Sequence, residues 1–196
     1  MPISQSNAFS SALRTVFLDR DGVLNQKMPE GSYVTRWEEF HPLPGVLDAI
    51  RRMNHAGLRV LIVSNQRGVS LGLYSVADVD KIHAGFQELL QQNGAHVDGF
   101  YFCPHAKHTC TCRKPLPGLY DQAKAQFPAI TPETSVMIGD SYSDIEFGHR
   151  LGMKTIFIDG YPAHQKPGVA SARELADMRC RSLPEAVRIL LGTDPQ

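Results

Sequence analysis

Runs of apolar residues alternate along this chain with stretches of helical spacing. The runs are short and dominated by aliphatic and aromatic side chains, which is typical of strands buried on both faces of a parallel sheet. Five of them are predicted strands, at residues 16–18, 59–63, 97–102, 136–138 and 154–158. Between them, apolar residues recur every three or four positions, as in Val79, Ile82, Phe86 and Leu90, and predict helices.

This alternation of strands and helices predicts a parallel sheet with right-handed crossovers. We therefore expect an α/β fold, a doubly wound (Rossmann-like) sheet of about five core strands with helices on both faces. The 196 residues suit one domain, and no repeat, low-complexity tract or linker divides them. The expected boundaries are a loose, serine-rich N-terminal arm at 1–13 and a single domain at 14–192.

Net charge, the length of the apolar runs and the placement of the cysteines indicate which partners and which cellular compartment to expect. Twenty basic and twenty acidic residues give a formal net charge of zero, so bulk charge attracts neither nucleic acid nor a membrane surface. No apolar run approaches the roughly 18 residues of a membrane span, and the polar N-terminus lacks the features of a secretory signal. Three of the four cysteines lie between positions 103 and 112, which favours metal binding over disulfides. We expect a cytoplasmic monomer without nucleic-acid or membrane partners.

Two carboxylates one residue apart follow the first predicted strand. Asp19 and Asp21 stand at its carboxyl end, where open α/β sheets keep their ligands, and Gly22 lets the chain turn away. Carboxylates held close together repel unless a cation or a shared proton compensates. Mg²⁺ is the natural compensator, because it binds carboxylate, water and phosphate oxygens. Taken alone, the same residues also fit an ordinary acidic turn.

Four polar segments end or follow the predicted strands, and in a doubly wound sheet such strand ends converge on one edge. They are Asp19/Asp21, Ser64-Asn65-Gln66, Arg113-Lys114 and Asp140/Asp144. Together they offer a metal site, a carboxylate nucleophile, a hydroxyl donor and a cation. Phosphoryl transfer requires such a set, because its catalysis rests on positioning and on neutralising charge on the phosphoryl oxygens.

The order of these motifs resembles the haloacid dehalogenase superfamily of phosphatases. The resemblance spans residues 16–160 and implies a Mg²⁺-dependent phosphomonoester hydrolase. It implies that Asp19 is the nucleophile that forms an aspartyl-phosphate and that Asp21 is the general acid and base. It further implies that Asp19, the backbone carbonyl of Asp21 and Asp140 hold the Mg²⁺. The remaining implied roles are phosphoryl binding by Ser64 and Lys114, and support of Lys114 or of a metal-bound water by Asp144.

A second metal site is indicated by the spacing C-x-H-x₄-C-x-C. Its residues are Cys103, His105, Cys110 and Cys112. Three thiolates and one imidazole fill a tetrahedral zinc site with no open position, which is structural rather than catalytic. The loop at 103–112 offers little apolar surface to pack, so bound Zn²⁺ would supply its order. His108 is an alternative fourth ligand, and the resemblance favours His105 because the family pattern is C-x-H.

The predicted zinc loop runs directly into Cys-Arg-Lys-Pro, and this arrangement resembles two capless groups of the superfamily. One is the D-glycero-D-manno-heptose 1,7-bisphosphate 7-phosphatases, and the other is the histidinol-phosphate phosphatases. Asn65-Gln66-x-Gly68, the segment 113–118 and Tyr33-Val34 favour the heptose group. The short spacer between His105 and Cys110 is closer to the histidinol group, so both substrates, or another small sugar phosphate, stay open.

The resemblance to the heptose group also implies a set of substrate-binding residues. They are Arg20, Gly31, Ser32, Tyr33, Asn65, Gln66, Arg67 and Arg113. Arg67 stands where the group commonly has a small residue and could supply a cation near a second phosphate. Ser141 stands where a lysine often follows the motif aspartate. Two other classes are less favoured: a phosphorelay receiver, which lacks an acid equivalent to Asp21, and a zinc-ordered binding module with a decayed site.

Overall fold

The computed structural model describes residues 13–29, 31–160 and 167–192. Its centre is a six-stranded sheet in the order β3-β2-β1-β4-β5-β6, and every neighbouring pair is parallel. The strands are β1 Thr15–Leu18, β2 Arg59–Asn65, β3 Gly99–Cys103, β4 Ser135–Gly139, β5 Lys154–Ile158 and β6 Met178–Cys180. The expected doubly wound parallel sheet is confirmed, and it has one more strand than the five predicted from sequence.

Within the described ranges, six α-helices connect or follow the strands. They are α1 Val46–His55, α2 Val76–Gln92, α3 Gly118–Gln126, α4 Tyr142–Leu151, α5 Val169–Leu175 and α6 Leu183–Leu191. Two 3₁₀ turns, Trp37–Glu39 and Pro132–Thr134, interrupt the loops before α1 and β4. None of the helices in the described ranges is long and apolar enough to cross a membrane.

Helices cover both faces of the sheet because its strands are apolar on both sides. In β1, Val16 and Leu18 belong to the apolar cluster that contains residues of α1, α2 and α6. Phe17, between them, points to the opposite cluster, which contains residues of α3 and α4. All three side chains are fully buried. Strand β1 is therefore the middle of the protein, and the residues directly after it lie at the centre of one sheet edge.

The C-terminal part of the chain departs from the sequence-based expectation. Helix α5 and strand β6 lie between residues 159 and 183, a Gly/Pro-bearing segment for which the sequence pattern predicts a loop. Strand β6 has only three residues, of which Arg179 is exposed, so it carries no detectable apolar run. It forms by pairing with β5, a tertiary contact without a local signal. Of the predicted N-terminal arm, residues 1–12 lie outside the described residues.

Candidate active site

The predicted convergence of strand ends is present at the carboxyl edge of the sheet. Strand β1 pairs with β2 on one side and with β4 on the other. The ladder extends one residue further, because the Asp19 amide donates to the Ile138 carbonyl at 3.0 Å. This pairing brings Asp19 and Asp140 side by side. Carboxylate oxygens of these two residues and of Asp144 all lie within 4.8 Å of one another.

Lys114 lies buried between two of these carboxylates. Its Nζ is 2.8 Å from Asp19 Oδ1 and 2.6 Å from Asp144 Oδ1, and it donates to the Val63 carbonyl at 2.6 Å. Burial alone would lower the pKa of Lys114, but the charges of Asp144 and Asp19 outweigh it and raise that pKa above its usual value. The lysine is therefore a permanent cation directly beside Asp19.

Asp144 is held by the start of helix α4. Its Oδ2 accepts hydrogen bonds from the Ser141 amide at 3.0 Å and from the Ser141 hydroxyl at 2.6 Å, which forms a capping box. Its Oδ1 contacts Lys114. Ser141 is thus the N-cap residue of α4. The hydrogen bonds from Ser141 orient the Asp144 carboxylate, and this carboxylate holds the Lys114 ammonium in place.

The Asp21 carboxylate accepts hydrogen bonds from three neighbouring side chains. Arg20 Nη2 approaches its Oδ2 at 2.9 Å, Asn25 Nδ2 donates to its Oδ1 at 3.0 Å, and Gln66 Nε2 donates to its Oδ2 at 3.1 Å. Burial would raise the pKa of Asp21, but the Arg20 charge and these hydrogen bonds together lower it below the ordinary value. In this arrangement Asp21 is a carboxylate.

Gln66 links Asp21 to the end of strand β2. Its Nε2 also lies 2.5 Å from Ser64 Oγ, and its Oε1 accepts from the Tyr74 hydroxyl at 2.7 Å. Burial raises the pKa of Tyr74 to about 12, so this hydroxyl stays a donor. The ring of Tyr33 lies 6.0 Å from that of Tyr74, which brings the first loop over this side of the site.

Asn65 joins strand β2 to the backbone of Lys114. Its Oδ1 accepts from the Lys114 amide at 3.0 Å, and its Nδ2 donates to the Lys114 carbonyl at 3.1 Å. Arg113 and Arg67 lie within two residues of this contact. Each is half-buried and has one buried guanidinium nitrogen, Nη1 and Nε respectively, with no hydrogen-bond partner among the described residues.

The carboxylates at the sheet edge suit a divalent cation bound by oxygen. A Cβ at Gly22 would lie 2.2 Å from Asp140 Oδ2, so only glycine lets this carboxylate approach the turn after β1. The Lys27 ammonium contacts the same oxygen of Asp140. Three clustered carboxylates with two ammonium groups retain negative charge, and oxygen donors in this number fit Mg²⁺. Asp19 and Asp140 would hold the ion.

Several residues at the site were not anticipated from sequence. Lys27, Asn25 and Tyr74 each contact one of the predicted site residues through side-chain atoms. Asn25 had a usable signal, since it is a polar residue three positions after the glycine of the DxDG turn. Of the predicted loop residues, Gly31 and Ser32 are exposed, and the Ser32 amide donates to the Pro29 carbonyl within the loop.

The four predicted zinc-loop residues form one cluster. Sγ of Cys103 is 3.5 Å from that of Cys110, and Cys112 Sγ is 3.6 Å from Cys110 Sγ. His105 Nδ1 lies 3.7 Å from Cys103 Sγ and 3.2 Å from Cys112 Sγ. Ligands at Zn–S and Zn–N bond lengths around a tetrahedral ion are separated by roughly 3.4–3.8 Å. Three of these four distances lie in that range, so the donor set fits Zn²⁺. The fifth candidate, His108, is exposed and lies outside the cluster.

Comparison with known proteins agrees with this geometry. Residues 111–180 match the model of the HAD-like hydrolase family. The chain is 39% identical over 171 residues to a D-glycero-alpha-D-manno-heptose-1,7-bisphosphate 7-phosphatase of Mycobacterium tuberculosis, covering 87% of each chain. It is 33% identical over 147 residues to a D-glycero-beta-D-manno-heptose-1,7-bisphosphate 7-phosphatase of Neisseria meningitidis, covering 74% of this chain and 77% of that one.

A solved structure supports the same relationship. The D,D-heptose 1,7-bisphosphate phosphatase of B. bronchiseptica, complexed with magnesium and phosphate, superposes with a TM-score of 0.79 at 28% identity. The match covers 93% of this chain and 100% of that one. Sequence, fold and the arrangement of acidic residues around Lys114 therefore agree, and the chain belongs to the HAD-like hydrolase family, among the phosphatases that these relatives represent.

Proposed function

We propose that the chain hydrolyses a phosphomonoester through an aspartyl-phosphate at Asp19, and that its substrate is D-glycero-D-manno-heptose 1,7-bisphosphate, cleaved at the 7-phosphate. One observation carries the proposal: Lys114 contacts both Asp19 and Asp144, within the same group of carboxylates that includes Asp140. This arrangement provides a nucleophile, a fixed cation and oxygen ligands for Mg²⁺ at one point. The names of the relatives support the substrate.

The chemistry follows in two displacements. A carboxylate oxygen of Asp19 attacks phosphorus, the bond from phosphorus to the sugar oxygen breaks, and Asp21 gives a proton to the leaving alkoxide. Water then loses a proton to Asp21 and attacks phosphorus, which releases inorganic phosphate and restores the Asp19 carboxylate. Lys114 and Ser64 bind the phosphoryl oxygens throughout. Mg²⁺, when bound, neutralises part of the phosphoryl charge.

The protonation state of Asp21 sets the order of these events. Its lowered pKa means that Asp21 is ionised in the arrangement described, which is the form that activates water. To act first as an acid, Asp21 must take up a proton before the ester bond breaks. A phosphoryl dianion placed beside the carboxylate favours that uptake, because like charges raise the pKa of a carboxyl group.

The second phosphate of a bisphosphate requires its own cations. Arg67 and Arg113 suit this task, since each is half-buried with a guanidinium nitrogen that bonds to no other described residue. Both lie within two residues of the contact between Asn65 and Lys114, so both approach the site from its β2 side. Guanidinium groups bind phosphate oxygens in bidentate fashion. Arg20, by contrast, is engaged with Asp21 and Gln66 rather than facing a substrate.

The remaining assignments are proposals of the same kind. Zn²⁺ would bind Cys103, His105, Cys110 and Cys112 in a structural role. Tyr33, Gly31 and Ser32 would line the substrate side of the first loop, with Gln66 and Asn65 opposite. A monomeric, cytoplasmic protein remains the expectation from composition.

The substrate proposal is tested by comparing kcat/KM on both anomers of the heptose bisphosphate with kcat/KM on histidinol phosphate. We expect at least a tenfold preference for one of the bisphosphates, about 1.4 kcal/mol of differential transition-state binding. Arg67→Ala should reduce this preference while leaving turnover of a small generic ester unchanged. Equal or better turnover of histidinol phosphate would overturn the substrate while leaving the phosphatase chemistry in place.

Lys27 is expected to compete with Mg²⁺ for Asp140. Its ammonium contacts Asp140 Oδ2 and is only 12% exposed, so we expect a divalent ion bound at this oxygen to displace it. Replacing Lys27 with methionine keeps the side-chain length and removes the charge. A partly buried ion pair of this kind is worth roughly 1 kcal/mol, so Mg²⁺ should bind about fivefold more tightly to the variant.

Calorimetric titration of Mg²⁺ into the substrate-free protein measures this difference. The matched control is Lys81→Met, because Lys81 pairs with Asp78 on the exposed surface of α2. Unchanged or weaker Mg²⁺ binding by Lys27→Met would contradict the competition.

A further inference from the structure

Three buried polar atoms near Asp21 have no hydrogen-bond partner within the described ranges. They are Nε2 of His83 on helix α2, Nη1 of Arg20 and Oδ1 of Asn25, whose Nδ2 already donates to Asp21. His83 is 6% exposed and Arg20 is 2% exposed, so bulk water does not reach either group freely. Buried polar atoms in folded proteins are almost always hydrogen-bonded, directly or through an ordered water. His83 lies close enough to Arg20 and Asp21 for their charges to act on its pKa, so one buried water shared between them would satisfy both its Nε2 and the Arg20 Nη1.

Arg20 uses its other nitrogens on the catalytic side. Nε and Nη2 approach Asp21 Oδ1 at 3.2 and 3.1 Å, and Nη2 also donates to Gln66 Oε1 at 3.1 Å. The Arg20 guanidinium therefore extends from the end of β1 to Gln66, the residue directly after β2. Nη1 is the one nitrogen whose N–H groups they leave unused.

The ring of His83 packs against strand β3, which is the neighbour of β2 in the sheet. It stacks on Phe100 with ring centroids 4.6 Å apart and meets Phe102 edge-on at 5.6 Å. Phe102 pairs with Ser64 in the sheet, and Ser64 in turn contacts Gln66. The imidazole is thus fixed beside the strand end that the Arg20 guanidinium reaches.

The charge state of His83 makes it an acceptor. Burial, and then the positive charge of Arg20, lower the pKa of His83 to about 3, while Asp21 acts weakly in the other direction. The ring is therefore neutral at ordinary pH and carries one nitrogen without a proton. Aromatic side chains of β3 cover the ring, and the charged groups that act on it are Arg20 and Asp21.

We propose that His83 is a positioning residue: its Nε2 accepts a hydrogen bond from one buried water that in turn accepts from Arg20 Nη1, and so fixes the guanidinium that holds Asp21. The ring acts through Arg20 and does not touch substrate. Without this acceptor the guanidinium can rotate away from Asp21, and the carboxylate loses its fixed orientation toward the leaving group. This inference rests on the proposed acid and base role of Asp21.

Substitution at His83 separates positioning from packing. His83→Leu fills the same apolar site without an acceptor, and we expect kcat to fall about tenfold while KM changes less than twofold. His83→Gln places an amide oxygen near the position of Nε2 and should recover at least half of the lost kcat. His55→Leu, at an exposed histidine on α1, is the matched control and should leave both constants unchanged. Full kcat in folded His83→Leu, or no recovery in folded His83→Gln, would overturn the proposal.

Nitrogen NMR of the unsubstituted protein tests the same point without a variant and without substrate. We expect a neutral His83 ring protonated on Nδ1, with Nε2 showing the shift of a hydrogen-bonded acceptor. A ring protonated on Nε2 would overturn the proposal, even if the leucine variant failed to fold. A protein that hydrolyses no phosphomonoester but shows the expected tautomer would instead contradict the proposed function, so the two failures are distinguishable.

Discussion

Replacing Asp19 with asparagine is expected to remove turnover, by at least about 10³-fold in kcat. The amide cannot attack phosphorus, and no other described carboxylate is placed at the end of β1 beside Lys114. The fold should survive. Lys114 keeps its contact with Asp144 at 2.6 Å, and removing one of three clustered carboxylates relieves repulsion. Release of inorganic phosphate under saturating Mg²⁺ measures the loss, and thermal unfolding checks the fold.

A second measurement separates the nucleophile from a residue that only binds metal. In the unsubstituted protein, rapid acid quenching followed by mass spectrometry should find one phosphoryl group on the peptide that contains Asp19, and none in the variant. Asp121→Asn, at an exposed position on α3, should retain full activity. Retention of a tenth or more of the turnover by Asp19→Asn would exclude the aspartyl-phosphate mechanism.

Replacing Cys112 with serine is expected to produce the largest loss of stability. Cys112 is buried, contacts Cys110 and His105, and lies two residues before Lys114. A hydroxyl is a poor ligand for Zn²⁺, so metal content should fall from about one equivalent toward zero. Loss of a structural metal costs on the order of 3 kcal/mol or more, which lowers Tm by roughly 6–12 °C in a chain of this size. Activity should fall as well, because the loop leads directly into Arg113-Lys114.

Elemental analysis and thermal unfolding measure both effects. The same substitution at two histidines of one loop provides the matched pair: His105→Asn should weaken zinc binding, and His108→Asn should not. Asparagine suits position 108 because His108 has a φ of 63°, a left-handed conformation that asparagine tolerates. A protein purified without zinc, or a Cys112→Ser variant with unchanged Tm, would contradict a structural metal site.

The sheet could be predicted from sequence because its central strands are buried on both faces. Such strands appear in the sequence as short apolar runs, and this pattern predicts β1, β2 and β4. Strand β3 begins two residues later than predicted, at Gly99, because the apolar pattern does not mark where pairing with β2 starts. Strand β6 lies at the edge and exposes Arg179, so only its pairing with β5 reveals it.

The centre of the site was predictable for a related reason. Asp19 and Asp140 follow neighbouring parallel strands, so sheet order alone brings them together. The contacts of Lys27, Tyr74 and His83 were not predictable. Lys27 and Tyr74 lie in loops without a periodic pattern, where the path of the chain decides which side chains meet. His83 has the sequence pattern of an ordinary buried helix residue, and Arg20, the partner proposed for it, follows a different strand.

The double contact of Asn65 with Lys114 has a consequence for engineering. The Asn65 side-chain amide hydrogen-bonds both the N–H and the C=O of Lys114, and so links two segments that are distant in sequence. It anchors Lys114 from β2 by contacts that do not involve the residues at 104–111. We therefore expect the length and sequence of that stretch to tolerate exchange between homologues, provided that its metal ligands and the bound Zn²⁺ are kept.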